Sequence, residues 1–169
     1  MSPMAKKSNP LLTLTQLRYK IMPLLMEATK GDDGVLGEIV RIHLVTEYLL
    51  EELIRLVLEK NAEAVLSIGL KYSQKLQLAS QLELVEELNL LPDYVVGSLR
   101  KLNKLRNRVA LRLNESVEDA EVLELFVGLE SELPYIDLME LGTVITLRRY
   151  RSFIFGHMLP KFESIENET

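Results

Sequence analysis

Apolar residues recur along this chain at steps of three and four, and that spacing decides what it can fold into. The clearest case is Leu99 to Leu113. Leu99, Leu102, Leu105, Val109 and Leu113 fall on one side of a helix, and Arg100, Lys101, Lys104, Arg108 and Arg112 on the other. Strict two-residue alternation, the mark of a half-buried strand, is missing throughout, so no sheet is expected. Gly and Pro number only eight and six in 169 residues, which leaves long runs for helices. The expected fold is all-α: a single-domain helical bundle of six or seven helices with short connections. The length suits one domain with one core, and with no Trp that core must be filled mainly by Leu, Ile and Val.

Taken in order, residues 1–10 are polar and basic and read as a flexible N-terminal arm, and residues 11–162 as the bundle. A first helix is expected from Thr13 or Thr15 to Thr29, kinked at Pro23. The segment from Gly31 to Gly34 reads as a turn. Val35 to Lys60 is the longest periodic segment and the expected core helix. Val35, Ile39, Ile42, Leu49, Leu53 and Val57 form its stripe, and Leu36, Leu44, Val45, Leu50, Ile54 and Leu58 widen it. Glu51 and Arg55 stand four apart, in the favourable order for an ion pair. A short helix over Ala62 to Ile68, stopped at Gly69, and another opening at Ser73 and running to Leu82 should follow. Glu83 to Leu91 reads as a link, and Asp93 as the cap of the basic helix. Asn114 would stop that helix. Ser116 and Asp119 have capping-box spacing for a helix reaching Gly128. A long helix from Asp137 to Met158 carries Leu138, Leu141, Ile145, Leu147, Tyr150, Phe153 and Ile154, and Pro160 ends it. Residues 163–169 read as an acidic, mobile tail.

The net charge of −5 gives no whole-chain attraction to nucleic acid. The sequence contains no cysteine, which removes disulfides and thiolate metal sites and agrees with a reducing cytoplasm. The two N-terminal Lys are not followed by a long apolar run, so no signal peptide is read. No uninterrupted apolar stretch reaches the ~20 residues of a membrane helix.

Charge is nevertheless patterned. Tyr94 to Asn114 holds basic residues and no acidic ones, whereas Glu115 to Glu132 holds seven acidic residues and no basic ones. One reading is a basic groove for phosphates or RNA. The favoured one is two adjacent helices that neutralise each other or meet across a dimer seam. Of the two histidines, His43 stands four residues before Glu47 at the border of the apolar stripe. Such a pair could orient a general base, but a satisfied core His is the commoner outcome. His157 falls near the end of the last helix, where it favours the C-terminal dipole. Two His without Cys make zinc improbable, and Asp32 and Asp33 read as a turn rather than a calcium loop. No phosphate loop, dinucleotide fingerprint or nucleophile elbow is present. No cofactor or metal is expected.

Three stretches resemble the mannitol operon repressor (MltR) family and its HEPN-like relatives. Leu50 to Leu58 (LEELIRLVL) is similar to the family's core-helix pattern, and Tyr72 to Leu84 (YSQKLQLASQLEL) to its second block. Leu102 to Leu111 (LNKLRNRVAL) resembles its third block, an Arg-Asn pair followed three residues later by Ala-His. Their order and spacing match, over about residues 40 to 115. The resemblance implies the helical fold and a homodimer. In ribonuclease members of the HEPN group it implies a catalytic Arg and His assembled across that dimer. Arg106 and Asn107 match, but the His position holds Leu111, which cannot transfer a proton or donate a hydrogen bond.

Helix geometry places Leu111 opposite the Leu105 stripe, with Arg100, Lys104 and Asn107. The expected function is therefore a non-catalytic, cytoplasmic regulatory or protein-interaction module of the MltR repressor type. It has no metal or membrane association, and no helix-turn-helix is recognised for reading DNA directly. Its interaction residues would be Arg100, Lys104, Arg106, Asn107, Arg108 and Leu111, with His43 and Glu47 as a polar pair. The alternative is an RNA binder or ribonuclease toxin-type protein with a degenerate motif.

Overall fold

The computed structural model describes residues 34–87, 89–111, 116–129 and 141–158, with the isolated positions Tyr19, Pro23 and Glu27, which are helical and exposed. The expected N-terminal arm, the remainder of the first helix, the turn at Asp32 and Asp33, the stop at Asn114, the end at Pro160 and the acidic tail lie outside the described residues. So does most of the segment before Thr143. Among the described residues the fold is all-α, without a strand. Helix α1 spans Val35–Leu58, α2 Ala62–Leu66, α3 Tyr72–Ser80, α4 Glu83–Glu87, α5 Asp93–Leu111, α6 Asp119–Leu123 and α7 Thr143–Met158. Single 3-10 turns follow α1 and α6, at Glu59–Asn61 and Glu124–Phe126.

The core helix is α1, which packs against α3, α5 and α7. Ile39, Ile42, Leu49, Leu50, Leu53 and Ile54 are fully enclosed, as the spacing requires. Leu36 and Leu44 do not widen the stripe: both are exposed. Their positions lie beyond the arc that α3, α5 and α7 cover. On α5, Leu99, Leu102, Leu105 and Val109 are buried together with Val95, Val96 and Ser98. On α7, Leu147, Tyr150 and Ile154 are buried, but Ile145 is turned outward and Phe155 and Met158 are the residues enclosed instead. Tyr94 meets His157 and Ser98 meets Tyr150, so α5 and α7 run antiparallel.

Several helix ends differ from expectation, each for a local reason. Asp93 is the first residue of α5 rather than its cap. The carbonyl of Pro92 accepts the N–H groups of Val95 and Val96, so the turn starts one residue earlier. The helix after the acidic stretch is capped at Glu118, not Ser116, because the Glu121 carboxylate accepts the Glu118 N–H at 3.0 Å. The expected link after Leu82 contains α4, whose first-turn donors, Val85 and Glu86, reach the Leu82 carbonyl. Tyr72 rather than Ser73 opens α3, where Gln74 reaches back to the Lys71 N–H at 2.8 Å. Gly69 and Gly128 take left-handed φ values of 79° and 95°, and both follow short helices that stop a few residues earlier than expected.

Candidate functional site

Helix α5 distributes its candidate residues among three surroundings. Arg100, Lys104, Asn107 and Leu111 are exposed on one flank, where their spacing on the helix put them. Leu111 is the most exposed, at 85%. Arg108 points across to α6 and donates to the Glu121 carboxylate at 2.5 Å. Lys101 reaches the same corner from two turns earlier on the same face: its ammonium lies 3.8 Å from Glu124 and donates to the Val127 carbonyl at 3.0 Å. The basic and acidic blocks therefore meet within one chain through these two residues. Arg106 is half-buried and donates to Asn107 at 3.1 Å, and its charge acts on His43.

His43 is the centre of a polar cluster between α1, α3 and α5, and only 5% of it is exposed. Its Nε2 lies 3.1 Å from Asn103 Oδ1. That oxygen only accepts, so the bond requires the imidazole proton on Nε2. The ring stacks on Tyr72 with centroids 4.2 Å apart, and Nδ1 is 4.0 Å from the Glu47 carboxylate. The expected His43–Glu47 pair is thus adjacent but too long for a hydrogen bond, and Asn103 orients the ring instead. Glu47 belongs to Lys75, whose ammonium donates to Glu47 at 2.7 Å and to Glu51 at 2.5 Å. Glu51 lies within 3.4 Å of Arg55, as the i,i+4 spacing predicted, and Arg55 also reaches Glu52 and Glu63. Below them Tyr72 donates to Thr46, whose own hydroxyl donates to backbone carbonyls of α1.

Burial and neighbouring charges act together here. Loss of solvent pushes His43 below its ordinary value; the Asn103 bond and Glu47 oppose that, and the charges of Arg106 and Lys75 add to it. Burial opposes the charge on Lys75, but the paired carboxylates of Glu47 and Glu51 overcome it and raise its pKa. The imidazole is buried, bonded to an amide and stacked on a phenol. The cluster joins three helices.

Lys75, Asn103, Thr46 and Tyr72 were not singled out from the sequence. Lys75 carried a readable signal. It shares a helical face with Tyr72, Leu76 and Ala79, so a cation was placed on an inward stripe opposite two glutamates four residues apart on α1. A second such position, Glu38, is 1% exposed on α1 and is held by Arg41 at 3.1 Å and Arg151 at 2.8 Å. His157 in the last turn of α7 is partnered by the Tyr94 hydroxyl at 3.3 Å and stacks on Phe153.

Two hollows flank α5. One, of about 480 Å³, lies between α5 and the α6 corner and is lined by Lys101, Lys104, Leu105, Arg108, Glu121, Glu124 and Leu125. The other, of about 600 Å³, lies where α3, α4 and the start of α5 meet, with Glu86, Asp93 and Arg100 on its wall. Among the described residues no three His, Asp or Glu side chains gather as metal ligands would, and no helix is long and apolar enough to cross a membrane. No family model, curated protein or solved structure matches the chain.

Proposed function

We propose that this chain is a non-catalytic, homodimeric interaction module of the cytoplasm, resembling the MltR-type regulators of transcription and acting through a protein partner. The observation that carries the reading is Leu111. The position where the resembling families place a catalytic His is filled by a leucine that stands 85% in solvent. Around it lie Arg100, Lys104 and Asn107, also exposed, so the flank combines an apolar contact with two cations. Arg106 lies at the inner edge of this set, and Arg108, already engaged by Glu121, braces the helix that presents it. The only nearby imidazole, His43, is buried and held in its neutral form by its surroundings.

Incubation with labelled RNA tests this reading. No cleavage and no salt-sensitive binding are expected. Arg100→Glu with Lys104→Glu should weaken capture of a purified protein partner while leaving the helical signal unchanged. Cleavage lost in Arg106→Ala would instead establish the ribonuclease alternative. That alternative draws its support from Arg106 lying close enough to His43 to act on its charge. Salt-sensitive binding without cleavage, persisting after removal of residues 1–10, would make the chain an RNA binder.

A further inference from the structure

The groove between α5 and the α6 corner is left unexplained by the partner-facing flank. Its floor is Leu105 and Leu125, both buried. Lys101 and Arg108 stand at its two ends, seven residues and about 10 Å apart along the helix axis. Each faces a carboxylate from the opposite wall, Glu124 for Lys101 and Glu121 for Arg108. Lys104 stands between them, exposed, and no carboxylate among the described residues pairs with it. The groove therefore sets one uncompensated positive charge beside an apolar floor. Its volume, about 480 Å³, lies in the range of small-molecule sites.

We infer that this groove binds a small amphiphilic monoanion. The apolar body lies over Leu105 and Leu125 and along the aliphatic stems of Lys101 and Arg108, and the single anionic end, a carboxylate or sulfonate, meets Lys104. Burial of the body supplies the attraction, and the charge supplies orientation. A second negative charge on the ligand would face Glu121 and Glu124, which line the same groove, so phosphate chains are disfavoured. A neutral ligand would leave Lys104 without a counter-charge. Lys104 belongs to both surfaces, but Arg100, Asn107 and Leu111 do not line the groove, so Arg100→Glu and Leu111→Glu test the partner-facing reading alone and keep the two failures distinguishable.

The test titrates the full chain with anilinonaphthalene sulfonate, an aromatic monoanion, followed by fluorescence and calorimetry. Saturable binding at one site per chain is expected. Lys104→Glu should weaken it by about tenfold or more, which corresponds to about 1.4 kcal/mol. Lys104→Arg should preserve it, and so should Arg100→Glu, which reverses a charge outside the groove. Phenylnaphthylamine, a neutral analogue, should bind about tenfold more weakly, and inorganic phosphate should not displace the sulfonate. Lys104 is exposed, so circular dichroism of the Glu and Gln variants should match the parent. No saturable binding, equal binding by a folded Lys104→Glu or Lys104→Gln variant, or equal binding of the neutral analogue would overturn the proposal.

Discussion

His43 is the residue at which buried polarity has a measurable consequence. Its folded pKa lies below that of the unfolded chain, whose ordinary value is 6.5, and burial is the first cause. The unfolded chain therefore binds more protons than the native protein just below that pH, and stability rises with pH across the interval. The contribution is complete above about pH 6.5 and is lost as pH falls toward the folded value, with a slope of at most about 1.4 kcal/mol per pH unit. Urea unfolding at pH 7 and pH 5 should give a lower midpoint at pH 5, and His43→Gln should remove most of that difference. An equal drop in both proteins would assign the dependence to carboxylates. Ser98 supplies a second residue-scale test. Its hydroxyl donates to the Leu125 carbonyl at 2.6 Å, so at 2.8 Å it must accept from Tyr150. Tyr150→Phe removes one donor and should cost about 1 kcal/mol, whereas Ser98→Ala strands a buried carbonyl and a buried phenol and should cost about 2–3 kcal/mol. The order of the two, read by thermal unfolding, checks the donor assignment.

Helices α5 and α6 are tied by glutamates of unequal worth, although the sequence presents them alike. Glu121 accepts from both the Glu118 N–H and Arg108, so one carboxylate starts α6 and fastens it to α5. Glu124 is 63% exposed and faces Lys101 at 3.8 Å. Glu121→Ala should destabilise the fold by about 1–2 kcal/mol and Glu124→Ala by less than about 0.5 kcal/mol in the same urea titration. The difference illustrates what was legible and what was not. Spacing alone placed the stripes of α1 and α5, because a helix periodicity fixes which residues face inward. It also placed Leu111 on the outer flank. It could not fix where a stripe ends, since that depends on how many neighbours cover a helix. Leu44 and Ile145 therefore read as core and face outward. It read a cap at Ser116 because capping residues are recognised by type, whereas here the second partner, Glu121, decided the start. Asn103 was unreadable as a site residue, since its role exists only once α5 lies against His43 of α1.

At the scale of the whole molecule, the exposed flank of α5 makes two kinds of association possible, and its charge separates them. Arg100, Lys104, Asn107 and Leu111 extend over 12 residues, about 16 Å of helix. A two-fold symmetric dimer formed through this flank would set the flank against its own copy. With the two α5 helices side by side in the same direction, leucine would meet leucine and the cations of one protomer would approach those of the other. Salt screens that repulsion, so a homodimer built this way should tighten between 50 and 500 mM NaCl, both values chosen to span a Debye length from about 14 to about 4 Å. An acidic protein partner on the same flank should show the opposite trend, because screening removes the attraction. Light scattering at the two salt concentrations distinguishes them for the homodimer. The mass should shift toward dimer at high salt, and Leu111→Glu should remain a monomer at both. Leu111 is 85% exposed in the single chain, so Leu111→Glu should leave the unfolding free energy of the monomer within about 0.5 kcal/mol of the parent. A dimer that weakens with salt, or one that survives Leu111→Glu, would move the self-association to another surface and reserve the α5 flank for a different protein.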